Sequence, residues 1–341
     1  MQPCESLTGV TPETFRGDIV PRNVPVVLKG LGADWPLVRA ARRSDRDLAD
    51  CLRGFDTGVA MDCLSAPPEV RGAFFYGETL RTRNFRKGQI TLGAMLDQLL
   101  TLAAEVQPPS LYIQSTPLDA ALPGLAAETV NPLLPATVRP RLWIGNAVRV
   151  QTHYDLSDNI AVVVAGRRRF TLFPPDQLPN LYVGPFENTL AGSPVSLADI
   201  EAPDFDRFPK LQEALKSGLI AELEPGDAIY IPYGWWHHVR SQSALNVLVN
   251  YWWNEAPAHL QAPYGAMLLA MLMVRDMPDR QRAVWKGMFD HFVFEVNGDP
   301  GAHLAPEDLG ALCHLPQSQH SGALETVVRG LMQHIQRTKS R

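Results

Sequence analysis

Thr152-His153-Tyr154-Asp155 and Tyr230-Ile231-Pro232-Tyr233-Gly234-Trp235-Trp236-His237-His238 are the two stretches on which the reading of this chain turns. The first closes a segment, 148–154, that reads as a strand. Side chains two apart on a strand share a face, so His153 and Asp155 point one way and Tyr154 the other. The second stretch brings another imidazole from what reads as a returning strand. Adjacent residues of an extended segment face opposite sides, so only one of His237 and His238 can join the pair, and spacing does not choose between them. Two histidines and one carboxylate, with open positions opposite, hold non-heme Fe(II) for O2 chemistry. Three histidines would read more like zinc. The chain has nine histidines, yet before residue 259 only His153, His237 and His238 occur.

Working outward, the segments 142–145, 159–165, 168–173, 227–232 and 245–252 also read as strands. Glu224-Pro225-Gly226-Asp227 is a turn that delivers one of them. Pro25-Val26-Val27-Leu28 predicts an early buried strand and Leu111-Tyr112-Ile113-Gln114 a short one. Residues 45–53 and 90–105 read as helices, with Leu92, Met95, Leu96, Leu99 and Leu100 at helical spacing. A long insertion, 176–222, contains one expected helix near 208–217; connections of that length are commonly lids or binding loops. After Pro263 the pattern is helical at 264–275, 279–295 and 322–337. The 29 prolines punctuate the whole length, which favours short strands joined by turns. The expected fold is mainly β with flanking helices. Its core, about 111–254, is a double-stranded β-helix of the jelly-roll or cupin kind, preceded by N-terminal α/β elements. The expected division is a catalytic domain over 1–258 and a C-terminal helical segment over 259–341.

Gly166-Arg167-Arg168-Arg169-Phe170-Thr171-Leu172-Phe173 adds a second chemical clue. By the period of two, Arg168 shares the apolar face of Phe170 and Leu172, while Arg167 and Arg169 point outward. A charge on an inner face is costly unless paired. Either an internal Asp or Glu meets Arg168, or a ligand carboxylate arrives there, held by two parallel hydrogen bonds. A dicarboxylate that chelates the metal at one end and meets Arg168 at the other is what 2-oxoglutarate requires.

Composition sets limits. A net charge of −5 argues against a general nucleic-acid binder, and the cluster Arg81, Arg83, Arg86 and Lys87 reads as a solvated loop. The four cysteines, Cys4, Cys51, Cys63 and Cys313, form no C-x-x-C and fit a reducing compartment. The N-terminus lacks the basic start and apolar run of a signal peptide. No apolar stretch approaches the roughly 18 residues of a membrane span; the closest is Met267 to Val274. A cytoplasmic protein without membrane contact is the expectation.

With these residues in place, the chain resembles the JmjC-type, cupin-like 2-oxoglutarate oxygenases, in particular the branch of the asparaginyl hydroxylase factor inhibiting HIF and its bacterial relatives. The resemblance runs from about Pro25 to Asn254. It is carried by the H-Y-D segment, the G-R-R-R-F-T-L-F-P-P strand, the P-G-D turn, the W-W-H-H element and Val249-Asn250-Tyr251-Trp252, in the family's order. It implies Fe(II) held by His153, Asp155 and His237, with His238 in support, and 2-oxoglutarate and O2 as co-substrates. The family's co-substrate lysine falls on Arg168, a departure, since a guanidinium fork is longer and planar. A threonine used on the co-substrate falls on Val150, which removes one hydrogen bond. Tyr112 matches a tyrosine that binds the co-substrate, and Gln114 a substrate-facing position. Asn159 and Asn250 match polar residues near the metal, and Trp252 an aromatic beside it. The implied activity is hydroxylation of a C–H bond, of a protein or peptide side chain first. The alternatives are a small metabolite as substrate, or a cupin that binds metal or ligand without turnover. The resemblance also implies a homodimer through the C-terminal helices. Met267, Leu268, Leu269, Met271, Leu272 and Met273 form a helix apolar nearly all round that needs burial on more than one side, met either by such a dimer or by core packing within one chain.

Overall fold

Asp158–Ala165 is buried along its whole length, and its alternation serves two cores at once. Ile160, Val162 and Val164 pack outward into the largest apolar cluster, with helices Pro36–Arg43, Asp45–Arg53 and Leu92–Leu102. Ala161 and Val163 pack inward with Phe170, Leu172, Ile229 and Leu248. A strand apolar on both faces is what a sheet covered on both sides demands.

The computed structural model describes residues 1–190, 192–260, 263–312 and 317–339. Eight consecutive strands make the barrel: β1 (Pro140–Gly145), β2 (Arg149–Tyr154), β3 (Asp158–Ala165), β4 (Arg168–Phe173), β5 (Leu219–Leu223), β6 (Ala228–Ile231), β7 (Trp236–Ser241) and β8 (Asn246–Trp253). They divide as β1-β8-β3-β6 in one sheet and β2-β7-β4-β5 in the other, all neighbours antiparallel. This is a jelly roll. N-terminal strands then widen it. Val26–Lys29 pairs β6, while Ser110–Pro117, Met61–Ala66 and Arg86–Ile90 extend the sheet beyond β1.

The insertion is shorter than expected. Leu219–Leu223 is a full barrel strand antiparallel to β4, so the excursion ends at Gly218. Its helix is Leu211–Ser217, and its loops bridge back through Val195 to His153 and Val183 to Ser196. The polar sequence Arg86–Ile90 was not read as a strand because it is a solvated edge without alternation. Helix Pro36–Arg43 buries only Leu37, Val38 and Ala40 and carries three arginines, too short an apolar pattern to mark it in the sequence.

The chain separates into two compact units, Met1–Asn254 and Glu255–Arg341. In the second, helices Pro263–Val274, Asp279–Phe292 and Gln317–Lys339 contain no buried described side chain. Leu272 is 76% exposed and Met273 45%. No helix among the described residues is long and apolar enough to cross a membrane. Cys4 and Cys63 are buried and Cys51 is half-buried, all free thiols; Cys313 lies outside the described residues.

Candidate metal centre

β2 and β7 are hydrogen-bonded neighbours, and their register sets His153 directly opposite His237. The ladder is irregular here: Val150 pairs Val239, so β2 carries an extra residue between Val150 and His153. That bulge turns His153 onto the face that Val150 already occupies, although simple alternation would part them. Both line one cavity in consequence. Asp155 follows the end of β2. Ligand atoms of His153, Asp155 and His237 all lie within 4.8 Å of one another, and His237 Nε2 is 3.7 Å from Asp155 Oδ2.

The ring orientations are set from behind. His153 Nδ1 lies 2.8 Å from the Gln151 carbonyl and His237 Nδ1 3.1 Å from that of Trp235. An N–H donated from each Nδ1 leaves Nε2 free to bind, which is how metal-ligating imidazoles are held. Burial, then the neighbouring His153, pulls His237 down to about 4, so it is neutral at pH 7. Asp155 Oδ2 is buried without a hydrogen-bond partner. An orphaned carboxylate oxygen between two imidazoles whose Nδ1 atoms are engaged from behind fits a divalent cation, with a donor set suited to Fe(II).

His238 goes elsewhere. It is buried on the other face of β7, with Nε2 3.9 Å from Glu201 Oε1. The geometry therefore brings His237, and not His238, to the Asp155 side.

Across the cavity stands Arg168, buried on β4. Arg167 and Arg169 point out to Glu224 and Glu222. Among the described residues no Asp or Glu meets Arg168; the Tyr112 hydroxyl is a polar neighbour, and Arg168 Nε and Nη2 have no hydrogen-bond partner. Burial lowers the Arg168 pKa and raises that of Tyr112, each partly offset by the other. The cavity, about 420 Å³, is also lined by Asn159, Asn250, Trp252 and Val150. Asn250 Nδ2 donates to Asn159 Oδ1 at 3.0 Å, and Asn250 Oδ1 accepts from Trp143 Nε1–H at 2.6 Å. Trp143 was not singled out in the sequence. It also meets Trp252 edge to face at 5.7 Å. Its membership of strand 142–145 was the available signal, but alternation does not tell an inner aromatic from a ligand-facing one.

A second cavity, about 640 Å³, shares His153, Asp155 and Trp252 with the first and adds Gln114, Gln151, Phe74, Phe85 and Leu190. Gln114 sits in a bulge of Ser110–Pro117, where Ser115 has φ +51. Arg141 pins that turn, donating to Ser115 Oγ at 2.6 Å and Ser115 O at 2.7 Å, with its guanidinium 5.6 Å over Trp252. Val195, from the insertion, closes the wall. The two cavities thus meet at the triad, one charged and narrow, the other largely apolar.

Comparison with known proteins agrees with this architecture. The model of the cupin-like domain matches residues 12–259. A lysine-specific demethylase, JMJ31 of Arabidopsis thaliana, is 34% identical over 138 residues, 39% of this chain and 25% of that protein. The tRNA wybutosine-synthesizing protein 5 of Gallus gallus is 27% identical over 278 residues, 74% of this chain and 77% of that one. The human HSPB1-associated protein 1 is 32% identical over 149 residues, 42% and 30% of the two. The chain therefore spans a quarter to a third of two of these relatives and about three quarters of the other. With its jelly roll, its His-Asp-His cluster and a match over most of its length, the chain belongs to the JmjC-type family of cupin-like domains.

Proposed function

We propose that the chain is an Fe(II)- and 2-oxoglutarate-dependent dioxygenase that hydroxylates a C–H bond, on a protein or peptide side chain. One observation carries the reading: a buried guanidinium with unpartnered donors faces the same cavity as the His153–Asp155–His237 cluster and meets no Asp or Glu among the described residues. A fixed cation without an internal counter-charge calls for an anionic ligand.

His153, Asp155 and His237 would hold the iron, and bound iron supplies the activation of O2 coupled to oxidative decarboxylation of 2-oxoglutarate. Arg168 and Tyr112 receive the far carboxylate: the guanidinium fork through two N–H donors, the phenol through one O–H. Asn250, held by Trp143 and Asn159, fixes the polar floor. Val150, Phe170 and Val239 keep the middle of the cavity dry. Gln114, Gln151 and Trp252 face the substrate side, where an aliphatic or amide side chain fits. We further propose a homodimer formed through the exposed apolar helices after residue 262.

The reading is tested by anaerobic addition of Fe(II) and 2-oxoglutarate, recording the weak visible charge-transfer band of the chelate, then admitting O2 and measuring succinate. Both signals are expected from the intact chain and neither from His153→Ala or Asp155→Ala. Iron binding without band or succinate would leave a binding cupin in its place.

A further inference from the structure

Arg71, Arg81, Arg83, Arg86 and Lys87 are all exposed, and among the described residues none of the five forms an ion pair. Arg149, Arg167, Arg169 and Arg240 each meet a carboxylate instead. Residues 65–90 hold these five cations against two acids, Glu69 and Glu78, in a chain whose net charge is −5. A local excess of one sign against the global balance raises the concentration of oppositely charged ligands at that face.

Two of these cations also border a groove. Arg83 and Arg86, with Ser65, Pro67 and Phe85, border a hollow of about 910 Å³. Phe85 lines the substrate-side cavity as well, so a single ring stands between the cationic groove and the cavity at the triad. Arg83 reaches across to the insertion, donating to Thr189 O at 3.0 Å. Among the described residues strand Arg86–Ile90 pairs with Met61–Ala66 alone and is the outer edge of its sheet. Its free side offers backbone donors and acceptors to an added extended segment. A stacking platform is missing: Tyr76 and Phe85 are buried and Phe75 is half-buried, whereas single-stranded nucleic acid is held by aromatic faces.

We infer that the substrate is an acidic polypeptide segment that crosses this groove in extended form. Its carboxylates meet Arg81, Arg83, Arg86 and Lys87, and its reactive side chain passes Phe85 toward His153 and Asp155. This names the substrate class for the oxygenase reading and rests on it.

The test uses the full-length, metal-free chain and fluorescence anisotropy with three probes: a labelled glutamate-rich peptide, a lysine-rich peptide and a single-stranded RNA of equal length, at low and high salt. The glutamate-rich peptide alone is expected to bind, more weakly at high salt, and at least about tenfold more weakly to the variant R81E/R86E/K87E. Peptide-independent succinate release with Fe(II) and 2-oxoglutarate is expected to be the same in that variant, which also shows that it folds. RNA binding as tightly as the peptide and lost in the same variant would overturn the polypeptide assignment. Failure of the acidic peptide to bind, or binding indifferent to the charge reversal, would overturn the groove. Absence of succinate from both proteins would count against the oxygenase reading and leave the binding result standing.

Discussion

Arg168 is the residue at which stability and function separate. A buried cation with unpartnered donors costs free energy, and replacing such a group by an apolar side chain of similar size is often neutral or stabilising. Arg168→Met is therefore expected to leave the melting temperature of the metal-free protein unchanged or raised. It should also weaken 2-oxoglutarate by about 2 kcal/mol or more, roughly thirtyfold upward in KM, as expected for loss of a buried charged partner. A melting curve and a succinate assay on one preparation check both halves; a large fall in stability would show Arg168 to be structural. The inward direction of Arg168 was legible from alternation with Phe170 and Leu172, but its lack of an internal acid depended on the tertiary surroundings. The choice of His237 over His238 was closed to spacing in the same way. It follows from the pairing of His237 with His153, and from the extra residue in β2 that no local pattern announces.

At the scale of elements, β7 carries two imidazoles to opposite faces, both held to about 4 chiefly by burial, against an ordinary 6.5. Because the folded values lie below the unfolded ones, the unfolded chain takes up protons first as pH falls. Stability is thus flat above about pH 6.5 and declines between 6.5 and 4, by up to about 1.4 kcal/mol per pH unit for each imidazole. Denaturant titrations of the metal-free protein across this window measure it, and a flat profile would refute the burial-driven depression. The insertion depends on another contact. Glu201 meets Arg149 at 3.0 Å and Arg240 at 3.2 Å, tying the segment after Val195 to β2 and β7. These groups are partly exposed, so Glu201→Gln should cost no more than about 1 kcal/mol globally while raising amide exchange across residues 182–200. Unchanged exchange would mean that apolar packing alone holds the wall. Six barrel strands were readable, the clearest being Asp158–Ala165 and Asn246–Trp253 with their long apolar runs. Leu219–Leu223 was absorbed into the insertion, being short and following directly on a helix.

For the whole molecule, the C-terminal unit leaves Leu272, Val284, Trp285, Phe292 and Phe294 at least 40% exposed. These side chains are the ones the proposed dimer would cover. Leu272→Glu is expected to shift sedimentation from dimer to monomer without changing the far-ultraviolet spectrum; a wild-type monomer at micromolar concentration would contradict the proposed dimer. The helices themselves were visible in the sequence, the first as a run apolar nearly all round, which by itself does not say what the run packs against. The pairing of β2 with β7 has a consequence for how the protein forms. His153 and Asp155 are joined to His237 only when strands separated by all of residues 155–235 close on each other, a contact of high sequence separation whose loop entropy is met before its reward. A refolding chain will hence acquire secondary structure before it can chelate. Cation affinity followed in time becomes a clock for barrel closure, set by the slowest long-range pairing.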